Sequence, residues 1–188
     1  MKRIQSALVL ASAVFAGPNL AEPALLVNEA KPAQVDLRSN GLLVHVCDGG
    51  FGGAVKIDLR RLADDEKFRI AMDPRVRTPG GVVMQMLPPG QYVATRLFLA
   101  DRDPVAFKPD TFAIRAGAIV SFGKVKVAPV TNLLGLMTSL EIRTDSVDIA
   151  PRLKAVRDFG VDSLPVLEKP IFWKIEPEEI KAGKRISP

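Results

Sequence analysis

The chain has 188 residues, of which 47% are hydrophobic and 25% charged, a composition typical of one ordinary folded domain. One cysteine excludes an internal disulfide framework and a multi-cysteine zinc site, and one histidine leaves a Ser-His-Asp triad with a single candidate. The formal net charge is +5, or +3 without the two cations in residues 1–21, and an excess of +3 is too small to indicate binding to nucleic acid.

The N-terminal residues have the plan of a secretory signal peptide. Two cations precede an apolar run over residues 7–16, which is too short to span a bilayer. We predict cleavage after Ala16 or after Ala21, and no cysteine lies near either point to carry a lipid anchor. Removal of residues 1–21 leaves 24 basic and 21 acidic residues, a net charge of +3. We therefore expect an exported protein without a transmembrane span, either periplasmic or secreted.

Residues 41–145 alternate between apolar and polar side chains. Val55, Ile57 and Leu59, for example, alternate with Lys, Asp and Arg. Segments of this kind recur at intervals of about ten residues, with Gly- and Pro-containing turns between them. This pattern predicts strands with one buried face, paired antiparallel through hairpins. The fold class we expect is mainly β, an antiparallel Ig-like or transthyretin-like β-sandwich.

A turn and the strand that follows it carry a resemblance to a known group. Leu87-Pro88-Pro89-Gly90-Gln91-Tyr92, followed by alternating Val93, Thr95, Leu97 and Leu99, resembles the carboxypeptidase-regulatory-like and transthyretin-like exported bacterial β-sandwiches. The similarity covers about residues 41–143. We expect Gly90 to take a positive φ and Tyr92 to pack its ring inward. In this group the sandwich is usually an accessory or binding module without catalysis of its own, and this chain differs from the lipoprotein members in lacking an anchoring cysteine.

Helical spacing replaces alternation after the predicted sandwich, in residues 146–167. We predict a helix of about ten residues that packs on the sandwich, begins at a cap formed by Asp148 or Ser146, and ends at Gly160. The apolar residues at this spacing are Ile149, Leu153, Val156 and Phe159.

The segments on either side of this region lack a clear period. Residues 22–40 are predicted to be extended and loosely held. Residues 168–188 are predicted to form a partly mobile tail, in which the apolar tripeptide 171–173 docks as a short edge strand.

His45 and Cys47 are two residues apart on one predicted strand and therefore share a face. A thiolate beside an imidazole is the activated nucleophile of cysteine hydrolases, which gives the alternative function, a thiol-dependent hydrolase or redox protein. Side chains at this spacing are poorly placed for a direct hydrogen bond, however, and the intervening residues are apolar. We therefore expect both side chains to be buried in a central strand.

Three further patterns are weak candidates for binding. Asp101, Asp103 and Asp110 could supply oxygen ligands to calcium, although nearby cations dilute their charge. The glycine-rich stretch 48–53 lacks the helix and lysine of a phosphate-binding loop. A basic cluster interleaved with acidic residues is most simply a solvated mixed-charge surface, but it could contact an anionic surface. The four arginines of that cluster are Arg60, Arg61, Arg75 and Arg77.

The sequence thus assigns no catalytic residue, cofactor or metal ligand. It favours a non-enzymatic exported binding or assembly module of the bacterial periplasm or cell envelope. The partner expected is another envelope protein or an anionic envelope polymer, and not a nucleic acid.

Overall fold

Strands make up most of the part of the chain that the structure describes. The computed structural model describes residues 21–27, 34–47, 55–72, 81–99, 105–106, 111–131, 133–134 and 137–175. Within these ranges the chain forms thirteen β-strands and one α-helix, and the strands assemble into two sheets. The fold is therefore mainly β, as the sequence predicts.

The first sheet is built around two adjacent strands, β4 and β7. In spatial order its strands are β1 (Glu22–Pro23), β5 (Lys67–Ala71), β4 (Val55–Arg61), β7 (Gly90–Leu99) and β8 (Val105–Ala106), and β9 (Thr111–Ile114) also pairs with β7. The short β1 joins β5 in parallel, whereas the other pairs of this sheet are antiparallel.

The second sheet contains the longest strand of the described chain at its centre. In spatial order its strands are β13 (Phe172–Ile175), β11 (Met137–Asp145), β10 (Ile119–Thr131), β3 (Gly41–Cys47), β6 (Val83–Leu87) and β2 (Leu25–Leu26), and β12 (Val166–Glu168) also pairs with β10. Strand β10 pairs in parallel with both β3 and β12. Both sheets are therefore mixed, which differs from the purely antiparallel pairing expected.

The parallel pairs arise because consecutive strands often lie in different sheets. The chain crosses between sheets on passing from β3 to β4, from β5 to β6, from β6 to β7 and from β9 to β10. Strands β3 and β10 meet only after these crossings, so no hairpin fixes their direction. The Pro88-Pro89 link is one such crossing, and the turn that resembles the known group is therefore not a hairpin.

A hydrophobic core lies between the two sheets. It includes Val55, Ile57 and Leu59 of β4 from the first sheet, and Leu43 of β3 and Ile142 of β11 from the second. A chain of aromatic rings crosses this core from one sheet to the other, with ring centroids 5.1 to 6.1 Å apart at each step. Its members are Phe68, Tyr92, Phe112, Phe122 and Trp173.

The period-two pattern changes phase inside β7. The pairing with β4 shifts by one residue at Thr95, whose hydroxyl donates a 3.2 Å hydrogen bond to a carbonyl oxygen of β4. As a result Tyr92 and Ala94 are buried before the shift, and Leu97 after it. Alternation predicts that Val93, Thr95 and Leu97 all face the core. This prediction is wrong for Val93 and Thr95, because simple alternation does not reveal a β-bulge.

A second hydrophobic cluster covers the other face of the second sheet. Leu42 and Val44 of β3 pack there with Ile149, Leu153 and Val156, which follow β11. Strand β3 is therefore central and buried on both faces, as predicted.

The helix is shorter than expected. α1 spans Ala150–Lys154, and a turn of 3-10 helix over Arg157–Phe159 follows it. Ile149 is the N-cap, so neither predicted capping residue occupies that position, although the Asp148 carboxylate accepts a 3.0 Å hydrogen bond from the Ala150 amide. Gly160 ends the segment in the left-handed conformation, with φ of 68°.

Segments outside 41–145 complete both sheets. β1 and β2 come from the N-terminal segment, where Val27 is fully buried. From the C-terminal segment, β13 forms an edge strand of the second sheet, and Ile171 and Trp173 are buried. Residues 176–188 lie outside the described ranges.

Candidate functional site

The outward face of the first sheet carries three rows of side chains from β5, β4 and β7. These positions alternate with the buried residues of the same strands, so they point away from the core. We call the nine positions the basic face, because five are cationic and one is acidic, a net charge of +4. The rows are Lys67, Arg60 and Val93; Arg69, Asp58 and Arg96; and Ala71, Lys56 and Phe98.

The sheet fixes the spacing of these charges. Side chains opposite one another on neighbouring strands have Cβ atoms roughly 5 Å apart. Residues two apart along one strand are separated by about 7 Å. The cations of the basic face therefore form a two-dimensional array on a rigid backbone, which suits contact with several anionic groups at once.

A single ion pair occupies the centre of the basic face. Nε of Arg69 lies 2.7 Å from Oδ1 of Asp58, and Nη2 lies 3.1 Å from Oδ2. The Asp58 side chain is only 5% exposed, and the hydrogen bond to it raises the pKa of Arg69. The Arg69 guanidinium also lies 4.1 Å from the centroid of the Phe98 ring. Arg69 is therefore held in place by two neighbours.

Three cations of the basic face are not engaged in this way. Lys56, Lys67 and Arg96 make no ion pair within the described part of the chain. Lys56 and Arg96 are exposed, and Lys67 is partly exposed. These three side chains are the groups of the basic face most available to an anionic ligand.

The arginines that the sequence singled out are placed differently. Nη1 of Arg60 lies 2.8 Å from Oδ1 of Asp65 in the turn between β4 and β5. Arg61 bonds the carboxylates of Asp64 and Glu66 in the same turn, and this contact lowers the pKa of Asp64. The turn therefore neutralises much of the charge of both arginines. Arg75 and Arg77 lie outside the described residues.

Sequence inspection missed Lys56 and Arg96 as members of the array. Alternation places Lys56, Asp58 and Arg60 on one face of β4, so the position of Lys56 beside Arg60 could have been predicted from the sequence. Arg96 could not be placed, because its position depends on the register with β4 and on the bulge at Thr95.

His45 lies in the buried strand β3 and is fully inaccessible to solvent. Neither ring nitrogen has a hydrogen-bond partner within the described residues, and burial lowers the pKa of the imidazole to about 4. The ring is therefore neutral near pH 7 and has no contact that would orient it as a general base. Cys47 ends β3, but its side chain lies outside what the structure describes.

The remaining sequence candidates are not brought together by the described structure. Asp101, Asp103, Asp110 and the glycine-rich stretch 48–53 lie outside the described residues. Within the described ranges, no three His, Cys, Asp or Glu side chains are close enough to hold a metal ion.

A small cleft opens where the chain leaves β11 and where β12 meets β10. Its volume is about 60 Å³, room for about two water molecules. Two of its hydroxyl groups already accept hydrogen bonds from the backbone: Ser121 accepts a 3.1 Å bond from the Gly123 amide, and Thr144 accepts a 2.9 Å bond from the Ile171 amide. The cleft is therefore a weaker candidate for a ligand site than the basic face.

The described structure defines a mainly β protein with two mixed sheets and a charged outward face. No helix in the described ranges has the length and apolar character needed to cross a membrane.

Comparison with known proteins adds little to this. Neither a family model nor a curated protein matches the chain. Among solved structures, a leucine-rich repeat protein from Bacteroides thetaiotaomicron VPI-5482 is similar to it, with 13% identity and a TM-score of 0.33. That match covers 48% of this chain and 14% of the other, and a likeness at this level carries no argument about fold or function.

Proposed function

We propose that the protein is a non-enzymatic, exported binding module of the bacterial periplasm or cell envelope, and that its basic face binds an anionic envelope polymer. The observation that carries this proposal is the array of Lys56, Lys67 and Arg96 on one sheet face, without ion-pair partners in the described chain. A polymer that carries repeated negative charges would contact several of these cations and displace their counterions.

The central ion pair supports this reading. Because Arg69 neutralises Asp58, the carboxylate does not repel an incoming anion. The outer cations stay available, while the centre of the face is rigid. An array of separate cations recognises a high density of negative charge, and it does not select the shape of one small ligand. A polymer of repeating anionic groups offers that density.

We also infer that the two sheets form a sandwich of the carboxypeptidase-regulatory-like or transthyretin-like type. The core shared between the sheets supports this, as does Tyr92, whose ring is buried and whose hydroxyl bonds the Pro88 carbonyl oxygen in a link between sheets. A similar tyrosine contact occurs in Ig-like sandwiches. An experimental structure that showed the two sheets diverging, without a common core, would contradict this assignment.

Export is tested by the mass of the protein isolated from the envelope fraction of its host. Cleavage after Ala16 or Ala21 predicts a chain that begins at residue 17 or at residue 22. Recovery of the uncleaved 188-residue chain from the cytoplasm alone would overturn the proposed location.

Binding is tested with dextran sulfate and with neutral dextran as the matched probe. We expect the protein to bind dextran sulfate only, with an affinity that falls steeply as salt rises. The variant Lys56→Glu/Arg96→Glu should lose at least about tenfold in affinity at low salt.

The control variant is Lys154→Glu/Arg157→Glu, which changes the net charge equally. Both residues are exposed and lie on the helical segment after β11. We expect this control to bind within about threefold of the wild type, because it leaves the basic face intact. If both variants lost the same affinity for dextran sulfate, the loss would be due to net charge alone, and a specific binding face would be refuted.

A further inference from the structure

The N-terminal segment of residues 22–27 lies along one side of the two sheets and joins their edges. Its first part, β1, pairs in parallel with β5 of the first sheet, and the Ala24 amide donates a 2.9 Å hydrogen bond to the carbonyl oxygen of Arg69. Its second part, β2, pairs antiparallel with β6 of the second sheet. We call this segment the strap, because it adds one short strand to each sheet.

Few side chains anchor the strap. Val27 is fully buried in the second hydrophobic cluster, on the other face of the second sheet, and Ala24 packs against the core between the sheets. Glu22, Pro23 and Leu25 are exposed. Only two residues of the strap pair with each sheet. A segment with so few buried apolar side chains and ladder pairs opens at a lower cost in free energy than the centre of the fold.

The two edges beneath the strap are held by contacts that do not involve it. Strand β5 pairs with β4 over five residues, and β6 pairs with β3 over five residues. The Gln85 side chain of β6 also joins the two sheets, because it accepts a 2.8 Å hydrogen bond from the Ala71 amide of β5 and donates a 3.1 Å hydrogen bond to the Ala71 carbonyl oxygen. The two edges are therefore preorganised to receive an extended segment by strand addition.

We propose that the edges of β5 and β6 form a strand-addition site, and that this site takes the strap of a second copy of the chain in exchange for its own. The structure shows that the strap sequence fits the site. A strap from a second copy has the same sequence, so it makes the same ladder pairs and the same anchoring contacts. Reciprocal exchange leaves neither site empty, and the assembly closes as a dimer.

Two positions of the strap distinguish docking from a general effect of added charge. Val27 is 0% exposed, so an aspartate there would bury its carboxylate or prevent the strap from docking. Leu25 is 36% exposed, so an aspartate there stays in contact with water and leaves the strap docked. The variants Val27→Asp and Leu25→Asp therefore form a matched pair that differs only in the position of one charge.

The test measures binding of a fluorescent peptide of residues 21–27 to the purified protein by fluorescence anisotropy. We expect Val27→Asp to bind the peptide at least about tenfold more tightly than the wild type does, because its own strap no longer competes for the site. A peptide that itself carries Val27→Asp should bind neither protein.

The control variant Leu25→Asp should bind the peptide within about twofold of the wild type, since its own strap still fills the site. If Val27→Asp does not fold, Val27→Ala provides the comparison, with an affinity about threefold above that of the wild type, because it removes only part of the anchor. Equal affinities of the peptide for the wild type and the Val27 variant would overturn the strand-addition site.

The second copy is tested by gel filtration after the protein is refolded from urea at about 1 mM, the order of the effective concentration of a tethered segment. We expect a dimer that is kept in Leu25→Asp and lost in Val27→Asp. A wild-type protein that binds the peptide but stays monomeric would overturn the second copy as the occupant. Neither variant alters a residue of the basic face, so these results leave the proposed function unaffected.

Discussion

The hydroxyl of Tyr92 donates a 2.7 Å hydrogen bond to the carbonyl oxygen of Pro88, four residues earlier in the chain. This bond closes the link that carries the chain from β6 in the second sheet to β7 in the first. The Tyr92 ring is fully buried and lies between Phe68 and Phe112. Tyr92 is therefore held by a hydrogen bond to the link between the two sheets and by aromatic contacts with two other strands of the first sheet.

Substitution at Tyr92 separates these two contributions. Tyr92→Phe keeps the ring but leaves the Pro88 carbonyl oxygen without this donor, so we expect a loss of about 1–2 kcal/mol in the free energy of unfolding. Tyr92→Ala also removes the ring, and we expect a loss of about 3–5 kcal/mol. Urea unfolding measures both. Equal stabilities for Tyr92→Ala and the wild type would contradict the buried position of the ring.

Titration of the same tyrosine provides an independent measurement. Burial raises its pKa to about 12, and it is the only tyrosine in the chain, so absorbance at alkaline pH reports this group alone. We expect the native midpoint near pH 12 and the midpoint in urea near its ordinary value of about 10. Because the unfolded state loses this proton first, stability should fall as pH rises from about 10 to 12. A native midpoint near 10 would indicate an exposed hydroxyl.

His45 should make the protein less stable in acid. Burial lowers its folded pKa to about 4, while the unfolded value is near 6.5. The unfolded state therefore binds more protons between these values, and the contribution of His45 to stability, complete above about pH 6.5, is lost as pH falls toward 4. The full difference is about 3 kcal/mol.

The variant His45→Leu separates the acid destabilisation due to His45 from that due to the carboxylates, because the carboxylates titrate in both the variant and the wild type. We expect its free energy of unfolding to change less between pH 7 and pH 4 than that of the wild type. At pH 7 it should be at least as stable, because neither ring nitrogen has a partner in the described chain. Identical pH profiles for the two proteins would show that His45 is not buried as described.

Two glycines with similar positive φ angles should respond differently to substitution by alanine. Gly123 and Gly160 have φ of 73° and 68°, a region that favours glycine. A Cβ atom on Gly123 would lie 2.5 Å from the carbonyl oxygen of Asp145, whereas a Cβ atom on Gly160 would have no neighbour within 4 Å. We expect Gly160→Ala to cost about 1 kcal/mol and Gly123→Ala about 3 kcal/mol or more, measured by urea unfolding.

This difference depends on the bulge at Phe122 and Gly123, where the pairing of β10 with β3 shifts. Equal costs at the two glycines would mean that the close approach of β10 to the end of β11 is absent in solution.

The Asp58–Arg69 pair should contribute more to stability than the Arg60–Asp65 pair. Asp58 is 5% exposed, so Arg69→Met leaves a nearly buried carboxylate without its partner, and we expect a loss of about 2–3 kcal/mol. Arg60→Met removes an exposed pair, with 40% and 73% of the two side chains accessible, and should cost less than about 0.5 kcal/mol. Thermal and urea unfolding of both variants would decide this. A loss at Arg60 as large as that at Arg69 would contradict the burial of Asp58.

The sequence by itself determined the mainly β class, the central and buried position of β3, and the inward orientation of Tyr92. The class and the position of β3 follow from the pattern of apolar residues along single strands, and the orientation of Tyr92 follows from the turn that precedes it, since both act over a few residues. The same reasoning placed His45 in the core, since the residues around it are apolar.

Only the tertiary structure decided how the strands pair. The parallel contact of β3 with β10, the shift at Thr95 and the row formed by Arg69, Asp58 and Arg96 all join residues that are distant in sequence. Each depends on where the chain crosses between sheets and on the register that the shared core imposes, because a shift of one residue would turn every side chain of a strand to the opposite face. The basic face exists only in that register, and so its cations could not be grouped before the strands were paired.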